Sequence, residues 1–349
     1  MAVASSTADA PRGPANGRAR TGQALSLGKR FLTLREGSII VVTVITFIYF
    51  ATSTSRFTTG DSFKALLPYF APIAILGAGE VFVMINGEID LSIGALYLFT
   101  PFIFYKMNQN VGLPLVPSLI VALIVAGLIG LFNGFMIGVV GVNSFVVTLG
   151  SLFLFSGLTL VISHATPVVA PGTSAVGVST FAQIFGAGTY SELFWAIGIV
   201  VILQVVLSLT RWGIYTVAVG GNRLGAGEAG IRVRLVLIRN FILCATLAGF
   251  VGILETTRSG TSTPDPSGAN DILFQGISAA VIGGTLLQGG SGTVVGALIG
   301  GIFLGILRDG LIIKGVSANY FYLYLGIAIL IAMAFNTYVS RVRTGSGRG

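Results

Sequence analysis

Two carboxylates sit where a membrane-embedded chain tolerates them least. The octet GEIDLSIG, Gly87 to Gly94, lies between two long apolar runs and carries Glu88 and Asp90. A carboxylate near the bilayer core is costly unless it is paired, solvated or held at an interface, so two of them between adjacent spans mark a specialised element. The glycines at both ends predict a tight backbone bend between two helices. Asp90 is expected to cap the third helix and hold the bend, its carboxylate facing the exposed amides of that N-terminus. Three further polar residues stand inside apolar runs. Glu80 is the clearest mid-span acid, about a turn from Met84 and Asn86. It suits a proton relay, a hydrogen bond to a neighbouring helix, or the lining of a wet pathway. Asn86 and Asn133 are candidates for that lining too, Asn133 with interhelical hydrogen bonding as the competing role.

Other chemistry is poorly served. His164 and Cys244 are the single histidine and single cysteine, so neither a metal framework nor an intrachain disulfide is expected. A membrane-embedded enzyme would need a midplane His, Cys or Ser-Lys cluster, and none is legible. A P-loop needs GxxxxGK followed by Ser or Thr. The nearest approach, Gly22 to Arg30, has one residue too many between its glycines and Arg30 after Lys29. The chain is therefore not expected to bind ATP by that device or to hold a cofactor of its own.

The elements that must position these residues follow from composition. Hydrophobic residues make up 54% of the 349 and charged residues 9%, with a mean hydropathy of +0.91. Soluble domains carry about 25% charged residues, so an all-α polytopic membrane protein is expected. Apolar runs long enough to cross about 30 Å of hydrocarbon fall at 37–54, 65–86, 90–107, 115–138, 144–163, 191–209, 238–257, 272–289, 292–313 and 319–338. Ten spans in one transmembrane domain, 35–340, are thus predicted. Residues 1–34 read as a disordered cytoplasmic tail without a cleavable signal peptide, and 341–349 as a C-terminal cytoplasmic tail. The loop 164–190 is long enough to suggest a re-entrant or surface helix. NGFMIGVVGVNSFVVTLG, from Asn133, overlays DGLIIKGVSANYFYLYLG, from Asp309, as an imperfect repeat. A displacement of five spans would invert the second copy.

The net charge of +8 is orientation rather than nucleic-acid binding. Arg12 to Arg35 precede the first span, Arg211 to Arg239 surround one polar loop, and Arg341 to Arg348 end the chain, while Arg56, Lys64, Lys106, Arg258, Arg308 and Lys314 fall toward the other side. This positive-inside pattern puts both termini in the cytoplasm.

GEIDLSIG resembles the GGIDLSVG signature of permease subunits of bacterial ABC importers for ribose, xylose, galactose and related sugars. Three more stretches resemble that family: GLFNGFMIGVVGVNSFVVTLGS from Gly130, GGNRLGAGEAGIRV from Gly220, and AAVIGGTLLQGGSGTVVGALIGG from Ala279, so the likeness runs from about Leu66 to Phe335. It implies a subunit of the bacterial inner membrane that is not itself an enzyme and forms the pathway for a monosaccharide or sugar alcohol. It also implies a second permease chain, a cytoplasmic ATPase that holds ATP and magnesium, and an extracytoplasmic sugar-binding protein. Gly221, Asn222, Glu228, Ala229, Gly230, Arg232 and Arg234 match the family's ATPase-coupling segment, in which a short helix over Ala226–Gly230 is expected. The same architecture serving nucleosides, autoinducer-type sugars or branched-chain amino acids stays open, as does an ion-coupled secondary transporter. The sugar itself is not legible, since no aromatic and polar set can be assigned to one pocket.

Overall fold

The computed structural model describes residues 36–174, 177–317, 320, 322–331, 333 and 334, and both terminal tails lie outside them. Thirteen helices are used here as landmarks. They are α1 (Gly37–Ser53), α2 (Gly60–Ile85), α3 (Ser92–Tyr105), α4 (Leu115–Phe135), α5 (Ser144–Ser163), the short α6 (Thr180–Ala182) and α7 (Ser191–Leu209), followed by α8 (Arg211–Gly221), α9 (Arg223–Glu228), α10 (Val233–Ser259), α11 (Pro266–Ile282), α12 (Val294–Ile313) and α13 (Tyr322–Ile331). Single π-helical turns extend α3, α4 and α6. Among the described residues, two-residue strands form small antiparallel pairs, Val168–Val169 with Thr261–Ser262 and Thr173–Ser174 with Gly177–Val178, near the 164–190 connection. That connection holds these strands and the short α6 with its π turn.

Among the described residues, six helices are long and apolar enough to cross a membrane: α2, α4 with its π turn, α5, α7, α10 and α12. They divide by burial. In the most apolar stretch of α2, 83% of residues are buried, and in α10 and α12 67%, whereas α5 and α7 bury only 28%. α12 packs along α2, and α4 along α10. The exposed faces of α4, α5 and α7 carry Leu128, Phe153, Val161, Phe194 and Ile202, an apolar surface suited to lipid. Close helix contact comes from small residues. A Cβ at Gly130 would lie 2.5 Å from the Phe241 carbonyl of α10.

Two span boundaries differ from expectation. The eighth apolar run was placed at 272–289, but α11 starts at Pro266, capped by the Asp265 carboxylate 3.0 Å from the Ser267 amide, and stops at Ile282. Gly283 and Gly284 end it, and 283–293 is a loop. The third run does not become a full-length helix from residue 90. Residues 88–90 are non-helical, and α3 begins at Ser92.

The bundle has two functional ends. The Arg223 end holds the close of α2, the close of α8, α9, the start of α10 and the 283–293 loop. The Arg258 end holds the start of α2, the close of α10, the start of α7 and the close of α12.

Candidate functional site

At the Arg223 end the octet forms a buried, heavily hydrogen-bonded joint. Gly87 turns the chain with φ +75 after α2. Asn86 is 2% exposed, donates to the Thr216 carbonyl at 2.8 Å and accepts from Asn240 at 2.6 Å. Glu88 meets Arg223 with an N to O distance of 2.5 Å, and the same guanidinium donates to the Asn86 carbonyl at 2.7 Å. Gly220 of α8 lies so close to α2 that a Cβ there would be 1.7 Å from the Ile85 carbonyl. Only glycine allows that contact.

Past Glu88 the chain turns back into the bundle. The Asp90 amide faces the Glu80 carboxyl, and Glu80 stands five residues before the end of α2, about 7.5 Å along the helix. α3 therefore starts inside the bundle. Asp90, wholly buried, accepts from the Ser92 amide at 2.9 Å and the Ser92 hydroxyl at 2.5 Å, so its carboxylate does face the first turn of α3. The Ser92 hydroxyl in turn accepts from Asn133 at 3.0 Å, and Asn133 accepts from Ser151 at 2.6 Å, which joins α3, α4 and α5. Gly94 packs against α11, where a Cβ would meet the Ala269 carbonyl at 2.9 Å. One oxygen each of Glu80 and Asp90 has no protein hydrogen-bond partner. Glu80 otherwise faces the Cys244 thiol, 3.6 Å away.

The expected coupling segment is folded, with one shift. The short helix spans Arg223–Glu228, three residues earlier at its start than the Ala226–Gly230 expectation. Asn222 caps it by accepting from the Gly225 amide at 3.0 Å, and Gly230, at φ +82, ends it after Ala229. Ala226 is buried against Val219 and Val236. Gly221 closes α8, Glu228 is the last residue of α9, Arg232 precedes α10 and Arg234 lies in its first turn. The polar loop is correspondingly shorter than 220–239.

Toward the Arg258 end lies a cavity of about 290 Å³, built from six helices. α2 gives Tyr69, α3 Tyr97, α10 Glu255 and Arg258, α11 Asp271 and Gln275, α12 Arg308, and α13 Tyr322. Pro68 and Pro72 also line it and sit inside α2. Lacking amide hydrogens, they leave the Lys64 and Pro68 carbonyls without their i+4 donors, so backbone acceptors are available there. Tyr322 donates to Asp271, Arg258 pairs with Glu255, and the Arg308 guanidinium lies 4.5 Å from the centre of the Tyr69 ring. The Arg258 Nε is also 3.4 Å from the buried Glu192 of α7. A second pocket of about 240 Å³ shares Tyr97, Glu255 and Gly268 and adds Thr256, Ser259, Thr261 and Thr263. A larger groove, about 700 Å³, runs along the exposed side of α7 past Phe194, Ile199 and Ile202. Its lining is mainly apolar and it faces the lipid side, so it suits a hydrocarbon rather than a polar solute.

The 290 Å³ cavity can present donors, acceptors and aromatic faces to a small polyhydroxylated molecule. None of Glu80, Asn86 and Asn133 lines it; the structure places all three between helices, as interhelical fasteners. The cavity residues were missed because they come from separated helices. The signal that could have found them is charge inside apolar elements, Asp271 in α11 and Arg308 in α12. No group of three or more metal-binding side chains exists among the described residues.

Residues 62–333 match the family described as branched-chain amino acid transport system / permease component. The xylose/arabinose import permease of Sulfolobus acidocaldarius is 36% identical over 327 residues, covering 91% of this chain and 88% of that one. The ribose import permease of Escherichia coli is 31% identical over 88% of this chain and 96% of its own length, and the D-allose transport system permease of the same species is 29% identical over 88% and 93%. No solved structure matches. A multi-pass helical bundle, the octet and the other family stretches in order, and a match over most of the chain together assign it: this protein belongs to the branched-chain amino acid transport system / permease component family, as a permease of the ribose/xylose type of ABC importer.

Proposed function

We propose that this permease carries a monosaccharide or sugar alcohol through the polar cavity between α2, α3, α10, α11, α12 and α13. The observation that carries this reading is the lining itself, three tyrosines beside paired carboxylates and guanidiniums. Tyrosine faces stack on the apolar faces of a sugar ring while charged groups take its hydroxyls. The named relatives are permeases for xylose/arabinose, ribose and allose. Transport is driven from outside the chain: an ATPase pair with ATP and magnesium docks at the Arg223 end, where Gly221, Asn222, Glu228, Ala229, Gly230, Arg232 and Arg234 cluster. A second permease chain and an extracytoplasmic binding protein complete the assembly.

The Arg223 end is then cytoplasmic and the membrane the bacterial inner membrane, with ten crossings. The six long helices are joined by the shorter α1, α3, α11 and α13. Residues 1–34 and 341–349 are cytoplasmic tails. An inverted repeat is supported by the parallel between α4–α5 and α12–α13. Each pair is broken at a glycine of positive φ, Gly141 or Gly315. α4 closes against Arg234 at the Arg223 end, whereas α12 closes where Asp309 accepts from Ser62 at the opposite end.

The test is uptake by the assembled importer of radiolabelled xylose and ribose, with leucine as competitor. ATP-dependent uptake of a sugar that leucine does not inhibit is the expected result. Uptake of leucine, or sugar uptake that persists without the ATPase, would overturn it.

A further inference from the structure

Arg223 connects two elements that the chain separates by more than a hundred residues. Its guanidinium bonds Glu88 at 2.5 Å and the Asn86 carbonyl at 2.7 Å, and so grips the chain on both sides of Gly87. The Glu88 side chain is almost buried and that of Arg223 is about half exposed, so the pair sits at the edge of the bundle, where solvent screens it less than on an open surface. Both bonds leave one terminal guanidinium nitrogen, whose two N–H groups meet the two acceptors at once. Four residues beyond Glu88, α3 begins, its first amide held by Asp90. Five residues into α3, about 7.5 Å along it, Tyr97 lines the cavity.

A helix displaced at one end moves as a unit, while the non-helical residues 88–90 supply a place for it to pivot. We propose that Arg223 is a positioning residue that ties α9 to α3, so that motion of α9 relocates Tyr97 within the cavity. For its consequence in transport this rests on the function proposed above, but the mechanical link does not. Asn86, held by Thr216 and Asn240, is the fixed side of the joint, and Glu88 the moving side.

The link can be read in the purified permease alone, in lipid nanodiscs. Cys244 is the single native cysteine and is buried, so a cysteine introduced by Tyr97→Cys is the thiol that a water-soluble maleimide reaches. Adding Arg223→Ala is expected to change the labelling rate at position 97 several-fold and to leave that at Arg308→Cys, on α12 of the same cavity, unchanged. Arg223→Lys should restore the native rate in part. Equal rates at position 97 with and without Arg223 would overturn the proposal, and so would equal changes at both positions, which signal general loosening. In the assembled importer Arg223→Ala should keep ATP hydrolysis but lower uptake per ATP by about tenfold, the scale of one charge-assisted hydrogen bond. An unchanged ratio would overturn it. Because labelling needs no partner, a native assembly without ATP-driven sugar uptake would count against the transport function and leave this link to be decided by the labelling.

Discussion

The two ends of the bundle use charged residues in opposite ways. At the Arg223 end, Asn86, Asp90, Ser92 and Asn133 are all at most 2% exposed; Asp90 holds the start of α3 through Ser92, and the bonds of Asn86 and Asn133 run between helices. Toward the Arg258 end, Glu255, Arg258, Asp271, Arg308 and Tyr322 border open space, bound to one another rather than filled in by neighbours. Polar groups that are wholly enclosed fix a conformation, because breaking any one bond leaves its partner buried and unsatisfied. Polar groups around a cavity can exchange partners with a solute at low cost. The signature motif therefore builds a joint, and the residues that line the 290 Å³ cavity lie elsewhere.

If that contrast is right, substitutions at the Arg223 end should cost stability first, and those at the cavity should cost transport alone. The largest effect is expected for Gly220→Leu. Its side chain has no room beside the Ile85 carbonyl, and the thermal midpoint of the purified protein should fall with a loss of about 3 kcal/mol; a native-like midpoint would break the comparison. Asp90→Leu leaves the Ser92 amide and hydroxyl unpaired inside the bundle and should cost about 2 kcal/mol, with Asp90→Asn clearly milder because an amide oxygen still accepts. Loss of transport in both variants with native stability would move Asp90 from the joint to the pathway. At the cavity, Asp271→Asn should lower uptake about tenfold with little change in melting, the equivalent of weakening one charge-assisted hydrogen bond. A melting drop as large as that of Asp90→Leu would show that Asp271 is a fastener too. Phe194→Ala, on the lipid-facing side of α7, should change stability by less than about 0.5 kcal/mol and uptake not at all. A large uptake loss there would assign the α7 groove a role in transport.

The sequence by itself determined the class of protein, because hydropathy over a span-length window reports transfer to lipid and needs no knowledge of neighbours. It also disclosed the octet, whose meaning is local: Gly87 must turn, and Asp90 accepts from the first amide of the helix two residues on. It misplaced α9 and α11 because Asn222 and Asp265 acted as caps, and because the Gly283–Gly284 pair ended α11 inside an apolar stretch that hydropathy reads as continuous. Tertiary structure alone decided which charges meet. Glu88 and Arg223 are brought together by the crossing of α2 and α8, and Tyr69, Tyr97, Asp271, Arg308 and Tyr322 by five separate helices. Periodicity says which side of a helix is apolar, but among helices this hydrophobic on every side it does not say which face turns inward. Glu80, Asn86 and Asn133 ended between helices, and Asp271 and Arg308 beside open space, because that choice was made by packing.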